Sequence, residues 1–441
     1  MSENDNEYVI TGVYALTMDE ALGDVPSARL HIRDGVIVSV AADDPAVPVA
    51  GRVLDGRGLV ALPGLVDTHN HLWSGSFRAL VRDGRPGGYN ELKATLGPRF
   101  RAADTYAFTV LGLTESLNAG ITTVHNWAHN TRDLDHAQAS TRAQFDCGLR
   151  GRFSYGAYEG LPRDQPIRPA DIDALRAGWA GSGALFDFGF ALRGPALTDA
   201  PVYRAEWEAA AARRLPVSIH YASSRTELAD FPVLDLLAKD DLLTMPMQLV
   251  HALYTTERDR AAIAGIGAHV SSAPLACMRH GLGFSPIREL RASGIPLSLS
   301  LDSAGLAGSL DMFAVMRALL LAEHARHEDD QILSARDVLA MATTGGAGDL
   351  GLAGQIGSLT PGKRADLILV DLSGLNTGPF PDDAGIDPAT LIAYAAAPAN
   401  VHTVIVDGRV RKRDGRLTGV AVADTVAAAR EALTRILRTP A

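Results

Sequence analysis

Two histidines stand two residues apart at the close of an apolar run, LVDTHNH, which spans residues 65–71 and carries His69 and His71. If that run is a β-strand, its pleat points both imidazoles to the same side. Three more apolar runs end in residue types that bind metals: PVSIH closes on His220, MQLVH on His251 and SLSLD on Asp302. Neutral imidazole is a favoured ligand for zinc and other divalent ions, with carboxylate as a companion donor. A lone strand-terminal histidine is ordinarily a satisfied polar group, so the weight lies in the convergence. His69, His71, His220 and Asp302 together point to a metal site. His251 is open between a ligand, a catalytic group and a capped core histidine, and the catalytic reading is preferred.

Such residues need elements that bring their ends to one place. Between about residues 61 and 350, short apolar strands alternate with longer helical stretches, the signature of βαβ units and a parallel sheet. Eight strands can be placed: LVDTH, ITTVHNW, GRFSYGAY, FDFGFALR, PVSIH, MQLVH, GAHVSS and IPLSLSLD. Eight strand-helix repeats suggest a (β/α)8 TIM barrel, whose active sites lie at the C-terminal strand ends, where these ligand types fall. Helices are expected over DTYAFTVLGLTESLNAG, ending on Gly120, over SLDMFAVMRALLLAEHAR from the cap Ser309, and over SARDVLAMATTGG, where Ser334 and Asp337 have capping-box spacing. Residues 1–60 alternate in strand fashion with turns at Asp34-Gly35 and Asp55-Gly56. The texture returns in 351–441 with Asp407-Gly408 and Asp414-Gly415. Both chain ends are therefore expected to form one small β-sandwich domain, with a terminal helix.

Several residues could shape a pocket at the barrel mouth. The second strand runs into VHNWAHN, where His125 and His129 bracket Trp127, a ring that either walls the pocket or packs beneath the adjacent loop. Trp73 and Arg78 follow the first histidine pair, and Arg78 could clamp a substrate oxygen or tie down its loop. Arg193, at the end of the fourth strand, could pair with a substrate carboxylate, although a structural salt bridge is the preferred reading. The segment SSAPLACMRHGLGF, with Ser272, Cys277 and His280, reads as a mobile loop over the site. Cys277 has no assignable activating partner and is not a persuasive nucleophile.

The bulk composition narrows the function class. A net charge of −10, from 41 basic and 51 acidic residues, comes with no basic run that could grip phosphates, so nucleic acid is not an expected partner. Two cysteines, Cys147 and Cys277, exclude a disulfide framework and a thiolate zinc cluster. The opening MSENDNEY lacks the basic and apolar regions of a secretory signal, and no apolar run approaches the roughly 20 residues that span a bilayer. A cytoplasmic enzyme acting on a small molecule is expected, with a homodimer or larger homo-oligomer left open.

PGLVDTHNH, the strand-end residues His220, His251 and Asp302, and the stretch ATTGGAGDLGLAGQIGSLTPGKRADLILVD from Ala342 resemble the amidohydrolase superfamily, in particular its cytosine-deaminase and chlorohydrolase-like branch. The likeness covers nearly the whole chain. It implies that His69, His71, His220 and Asp302 bind a divalent ion, zinc foremost with iron and manganese as alternatives. It further implies that His251 contacts substrate or the nucleophilic water and that Asp302 acts as general base. Binuclear members carry a carboxylated lysine on the fourth strand. FDFGFALR has none, so one metal is expected. The implied reaction is hydrolysis of a C–N bond, by deamination or by opening of an amidine or cyclic amide, in a small heterocycle.

One departure bears on that reaction. Deaminases of this branch place a glutamate three residues after the fifth-strand histidine to shuttle a proton to the leaving nitrogen. Here that position is Ser223, whose hydroxyl is a poor acid or base at neutral pH. The gap adds weight to an amide hydrolase, a dehalogenase or a lyase on the same scaffold. A non-catalytic relative would be expected to lose metal ligands, and this chain keeps the set.

Overall fold

The computed structural model describes residues 7–44, 46, 51–82, 88–380 and 386–439, without the side chains of 228 and 229. The acidic residues 1–6 of the opening stretch lie outside these. Eight parallel strands form one sheet in strictly sequential order. They are Leu65–Asn70, Ile121–Ala128, Arg150–Gly156, Phe186–Ala191, Val217–Tyr221, Met247–His251, His269–Ser272 and Leu297–Leu299, matching the eight expected from the alternation. The last segment meets the first through a parallel bridge between Asn70 and Asp302, with the Asp302 amide donating to the His69 carbonyl at 2.9 Å. Ladder closure therefore fixes Asp302 beside the histidine pair.

The chain divides into two compact units. The first comprises residues 1–67, 115–123 and 311–420, and contains a nine-stranded mixed sheet built from both chain ends. Strand Glu7–Ala15 pairs through residues 8–11 with Arg52–Asp55, then through Tyr14 and Ala15 with Leu59–Pro63. The change of partner falls at Gly12, whose φ of +67° and a virtual Cβ only 2.6 Å from Arg57 Cγ require glycine. Ile10, Leu30, Ile32 and Ile37 from one end pack with Leu367, Leu369 and Ile405 from the other, all buried. At ~25 cal/mol per Å² of apolar surface removed from water, such a shared core holds sequence-distant strands together.

The expected turns divide. Asp34-Gly35, Asp407-Gly408 and Asp414-Gly415 have positive φ at both residues, as a two-residue type I′ hairpin demands. Asp55-Gly56 does not: Gly56 is needed for space, because a Cβ there would lie 2.7 Å from that of Val13. Helix Met312–His327 starts from Asp311, whose carboxylate accepts the Ala314 amide, and not from the expected cap Ser309. A carboxylate two residues closer to the first free amides is the better acceptor. Ser334 and Asp337 form the expected capping box of helix Ala335–Ala342.

The second unit comprises residues 68–114, 124–310 and 421–441. In it, the terminal helix Val422–Arg438 packs Ala429, Ala432 and Ile436 into a cluster with Leu96, Phe100 and Phe108. Arg435 closes the contact, forming an ion pair with buried Asp104 and donating to the Arg99 carbonyl at 3.1 Å. The segment after the seventh strand is not a loose loop. It forms helix Pro274–Arg279, with Ala273, Ala276 and Cys277 buried in the same cluster. Among the described residues, no helix is long and apolar enough to cross a membrane.

Candidate metal centre

The alternation of the first strand has the expected result. His69 and His71 face the same way, with Nε2 atoms 3.2 Å apart. The fifth strand brings His220 Nε2 to 3.3 Å from His71 Nε2, and Asp302 Oδ1 lies 3.3 Å from His71 Nε2 and 3.5 Å from His69 Nε2. The ligating atoms of His69, His71 and His220 all lie within 4.8 Å of one another.

The chemistry of this donor set suits a cation. His71 Nδ1 lies 3.0 Å from the Trp127 carbonyl, which can only accept, so Nδ1 carries the hydrogen and Nε2 presents a lone pair. That lone pair faces two other imidazole nitrogens and a carboxylate oxygen. Burial holds His69, His71 and His220 well below the ordinary histidine range, and like charges nearby push the same way. Burial raises the pKa of Asp302. Protons are therefore kept off the imidazoles, and neutral imidazole is the form that binds metal. The backbone supports the arrangement at some strain: His251 and Asp302 adopt φ of +76° and +61°, a left-handed conformation that non-glycine residues rarely adopt and that clusters at functional sites.

Around this core, His251 stacks on His220 with ring centroids 5.4 Å apart, and Cys277 Sγ lies 3.3 Å from its Nδ1. Burial pushes the Cys277 thiol up, so it stays protonated and can donate to that nitrogen. Trp127 packs against the cluster: its ring neighbours those of His69, His71, His129 and His220, and its indole N–H donates to Ser218 Oγ at 2.9 Å. Trp73 is buried and donates to His129 Nδ1 at 3.3 Å, while the His129 ring meets His71 edge-on at 4.0 Å.

Not every expected pocket residue joins. His125 is locked into the barrel interior, with Nδ1 2.8 Å from the Thr68 carbonyl and Nε2 2.7 Å from Ser154 Oγ, leaving no nitrogen for a substrate. Arg193 directs its guanidinium at the carbonyls of Leu161, Pro162 and Gln165 and at buried Glu206, the structural use preferred from sequence. Arg78 is exposed on the 3-10 helix Leu72–Ala79. Ser223 lies just past the fifth strand, and its amide donates to Glu227 at 3.1 Å.

Other residues surround the site, and apart from His280 they carry no strong sequence signal. Tyr89, at the start of helix Tyr89–Leu96, bonds Ser74 Oγ at 2.8 Å, which in turn lies 2.8 Å from Ser303 beside Asp302. On the same helix, Lys93 Nζ is 2.9 Å from Glu159 Oε1. His280 feels the Asp302 charge and stands 6.3 Å, ring to ring, from Tyr89. Glu159, three residues beyond the third strand, was the findable one, as a polar group just past a barrel strand end.

Comparison with known proteins finds relatives along nearly the whole chain. The chain is 29% identical over 98% of its length to a 5-methylthioadenosine/S-adenosylhomocysteine deaminase of Symbiobacterium thermophilum, covering 99% of that protein. It is 27% identical to a 5′-deoxyadenosine deaminase of Methanosarcina mazei, with 93% and 94% of the two chains covered. Among solved structures, an adenosine deaminase from Xanthomonas campestris with bound zinc superposes with a TM-score of 0.87 at 25% identity, covering 98% of this chain and 99% of that one. The zinc complex of atrazine chlorohydrolase TrzN from Arthrobacter aurescens gives 0.83 at 22% identity over 97% and 100%, a likeness of fold. Residues 60–411 match the model of the amidohydrolase family. With that match across most of its length and a ring of histidines at its barrel strand ends, the chain belongs to the amidohydrolase family.

Proposed function

We propose that this chain is a mononuclear metal-dependent hydrolase that removes an amino group from a small nitrogen heterocycle, of the adenosine-derived class for which its relatives are named. The observation that carries this reading is the convergence of the buried His69 and His71 and the half-buried His220, their ligating nitrogens within 4.8 Å of one another, with Asp302 Oδ1 3.3 and 3.5 Å from His71 and His69. His69, His71, His220 and Asp302 would hold the ion. Zinc is the foremost candidate given this nitrogen-rich donor set, with iron and manganese as alternatives. When bound, a divalent ion supplies acidity to a coordinated water, bringing its pKa down to about 7.

The remaining work falls to the chain's own side chains. Asp302, its pKa raised by burial, is suited to take a proton from the attacking water and release it later. Hydrogen bonding from Cys277 to Nδ1 leaves His251 with its hydrogen on Nε2, a donor for negative charge developing at the reacting carbon. Trp127 and Trp73 give the site an aromatic wall suited to a planar ring.

The test is ammonia release by zinc-loaded protein from adenosine, 5′-deoxyadenosine, 5-methylthioadenosine, S-adenosylhomocysteine, guanine and cytosine, with a cyclic amide and a chlorinated triazine as controls. Turnover of an aminated ring is expected. Silence on all of these, with turnover of the amide or the chlorinated ring, would overturn deamination. Ser223 favours the chlorinated ring as second reading, because a halide leaves without needing a proton. On the deaminase reading, Ser223→Glu is expected to preserve or raise ammonia release.

A further inference from the structure

Of the expected cations, Arg193 is bound to carbonyls and Glu206, and Arg78 is exposed. Lys93 is linked to the centre through Glu159 and His129, whose ring meets His71. Tyr89, one helical turn before it, is tied through Ser74 to Ser303, the neighbour of Asp302, so the helix is pinned beside the ligand set. Lys93 Nζ sits 5.2 Å from the Tyr89 ring centroid and 2.9 Å from Glu159 Oε1, with side chains only 17% and 29% exposed. Its charge acts on His71, His129, His220, His280 and Asp302.

His129 supplies a second observation. It is only 7% exposed, and the Trp73 indole donates to its Nδ1, which puts the hydrogen of the neutral ring on Nε2. That Nε2 has no hydrogen-bond partner, and Glu159 Oε1 stands 3.5 Å away. Burying an N–H without a hydrogen-bond partner is costly, so it is a group built to receive an acceptor. Lys93 and His129 thus offer two donors beside the metal ligands, with Glu159 holding the lysine in place.

Resting on the deaminase reading above, we propose that Lys93 supplies the second proton for which Ser223 is unfit. It meets the ring nitrogen next to the carbon under attack, Glu159 positions it, and His129 Nε2–H makes a supporting contact. The step balances as follows. The carbon gains a bond to the water oxygen, the C=N electron pair moves to the ring nitrogen, and Lys93 gives that nitrogen a proton. The proton that Asp302 took from water leaves on the amino group as ammonia. The remaining hydroxyl proton passes to the neutral Lys93 amine as the C=O bond forms. The substrate class is accordingly an aminated ring with an sp² nitrogen adjacent to the amino-bearing carbon.

The test uses zinc-loaded wild type, Lys93→Met, Lys93→Arg and Glu159→Gln, each checked for zinc content and melting temperature. Purine riboside has the ring nitrogen but no leaving group, and 1-deazapurine riboside lacks that nitrogen. Binding of each is read by quenching of tryptophan fluorescence, to which Trp73 and Trp127 contribute. Wild type is expected to prefer purine riboside at least ~10-fold, the scale of one good hydrogen bond to a charged group. Lys93→Met should bind the two alike and lose ~100-fold in kcat on adenosine with a smaller change in KM. Lys93→Arg should keep the binding preference but not kcat, since guanidinium does not release its proton. Glu159→Gln should lie between.

If wild type deaminates adenosine and Lys93→Met retains both its kcat and the preference, the assignment of Lys93 falls while the function stands. If Lys93→Met does not fold, an unchanged kcat in Lys93→Arg overturns the assignment. If wild type neither deaminates nor binds purine riboside, both the function and this inference fall.

Discussion

Acidification should destabilise this protein far more steeply than its overall charge implies. His69, His71, His125, His129 and His251 are buried and His220 is half-buried, and desolvation lowers the pKa of all six. In the folded state they stay neutral, whereas in the unfolded chain each takes a proton near pH 6.5. Stability is therefore complete above that value and falls as pH drops through it toward the depressed folded values. Between pH 7 and 5.5 each of the five held well below that range loses about 1.2 kcal/mol, or roughly 6 kcal/mol together. His251 is lowered in the same direction, whereas Asp302, raised by burial, acts in the opposite sense. A loss of about 6 kcal/mol is comparable with the 5 to 15 kcal/mol by which folded proteins are stable. The assay is urea unfolding of chelator-stripped protein at half-unit steps from pH 7.5 to 5.5, followed by tryptophan fluorescence. His125→Asn, which removes one of the six outside the ligand set, should flatten the pH slope by about one proton. A total change below about 2 kcal/mol would refute the reasoning, as would stability that rises toward pH 5.5.

Three further outcomes are expected. Chelation, or His71→Ala, should abolish activity and reduce bound metal from about one equivalent to near zero, whereas His125→Asn should retain the metal; elemental analysis decides, and full metal content in His71→Ala would refute the ligand assignment. Cys277→Val should lower kcat about tenfold with KM little changed, because His251 loses the partner that fixes its tautomer, and Cys277→Ser should recover part of it; steady-state kinetics checks this, and equal activity in all three forms would refute it. Asp104→Ala should cost about 3 kcal/mol, because Arg435 is left unpaired where the terminal helix meets Phe100 and Leu96; a denaturation midpoint unchanged from wild type would refute the pairing.

Much of this site is legible in one dimension because a parallel barrel converts sequence position into spatial position. Any residue that closes a barrel strand lies on one rim, so His69, His71, His220, His251 and Asp302 could be gathered from strand ends alone. The period of two in LVDTHNH set the orientation of the pair. The pocket candidates were less legible. Arg193 closes a strand as convincingly as His220 does, yet the carbonyls of 161–165 take its guanidinium. His125 also lies near a strand end, but one residue layer deeper, where Thr68 and Ser154 enclose it.

The sequence alone determined the alternation of strands and helices, the shared sheet of the two chain ends, and the set of ligand types with no bridging lysine on the fourth strand. These follow from local periodicity and chain order, which need no knowledge of distance. Only the tertiary structure decided that Lys93, His129 and Glu159 share one polar corner of the site. That corner depends on the paths of segments between the strands, which are set by packing of Trp73, Phe100 and the terminal helix. The tautomers of His71, His129 and His251 were likewise decided there, because each depends on which partner, Trp127, Trp73 or Cys277, folding brings to its other nitrogen.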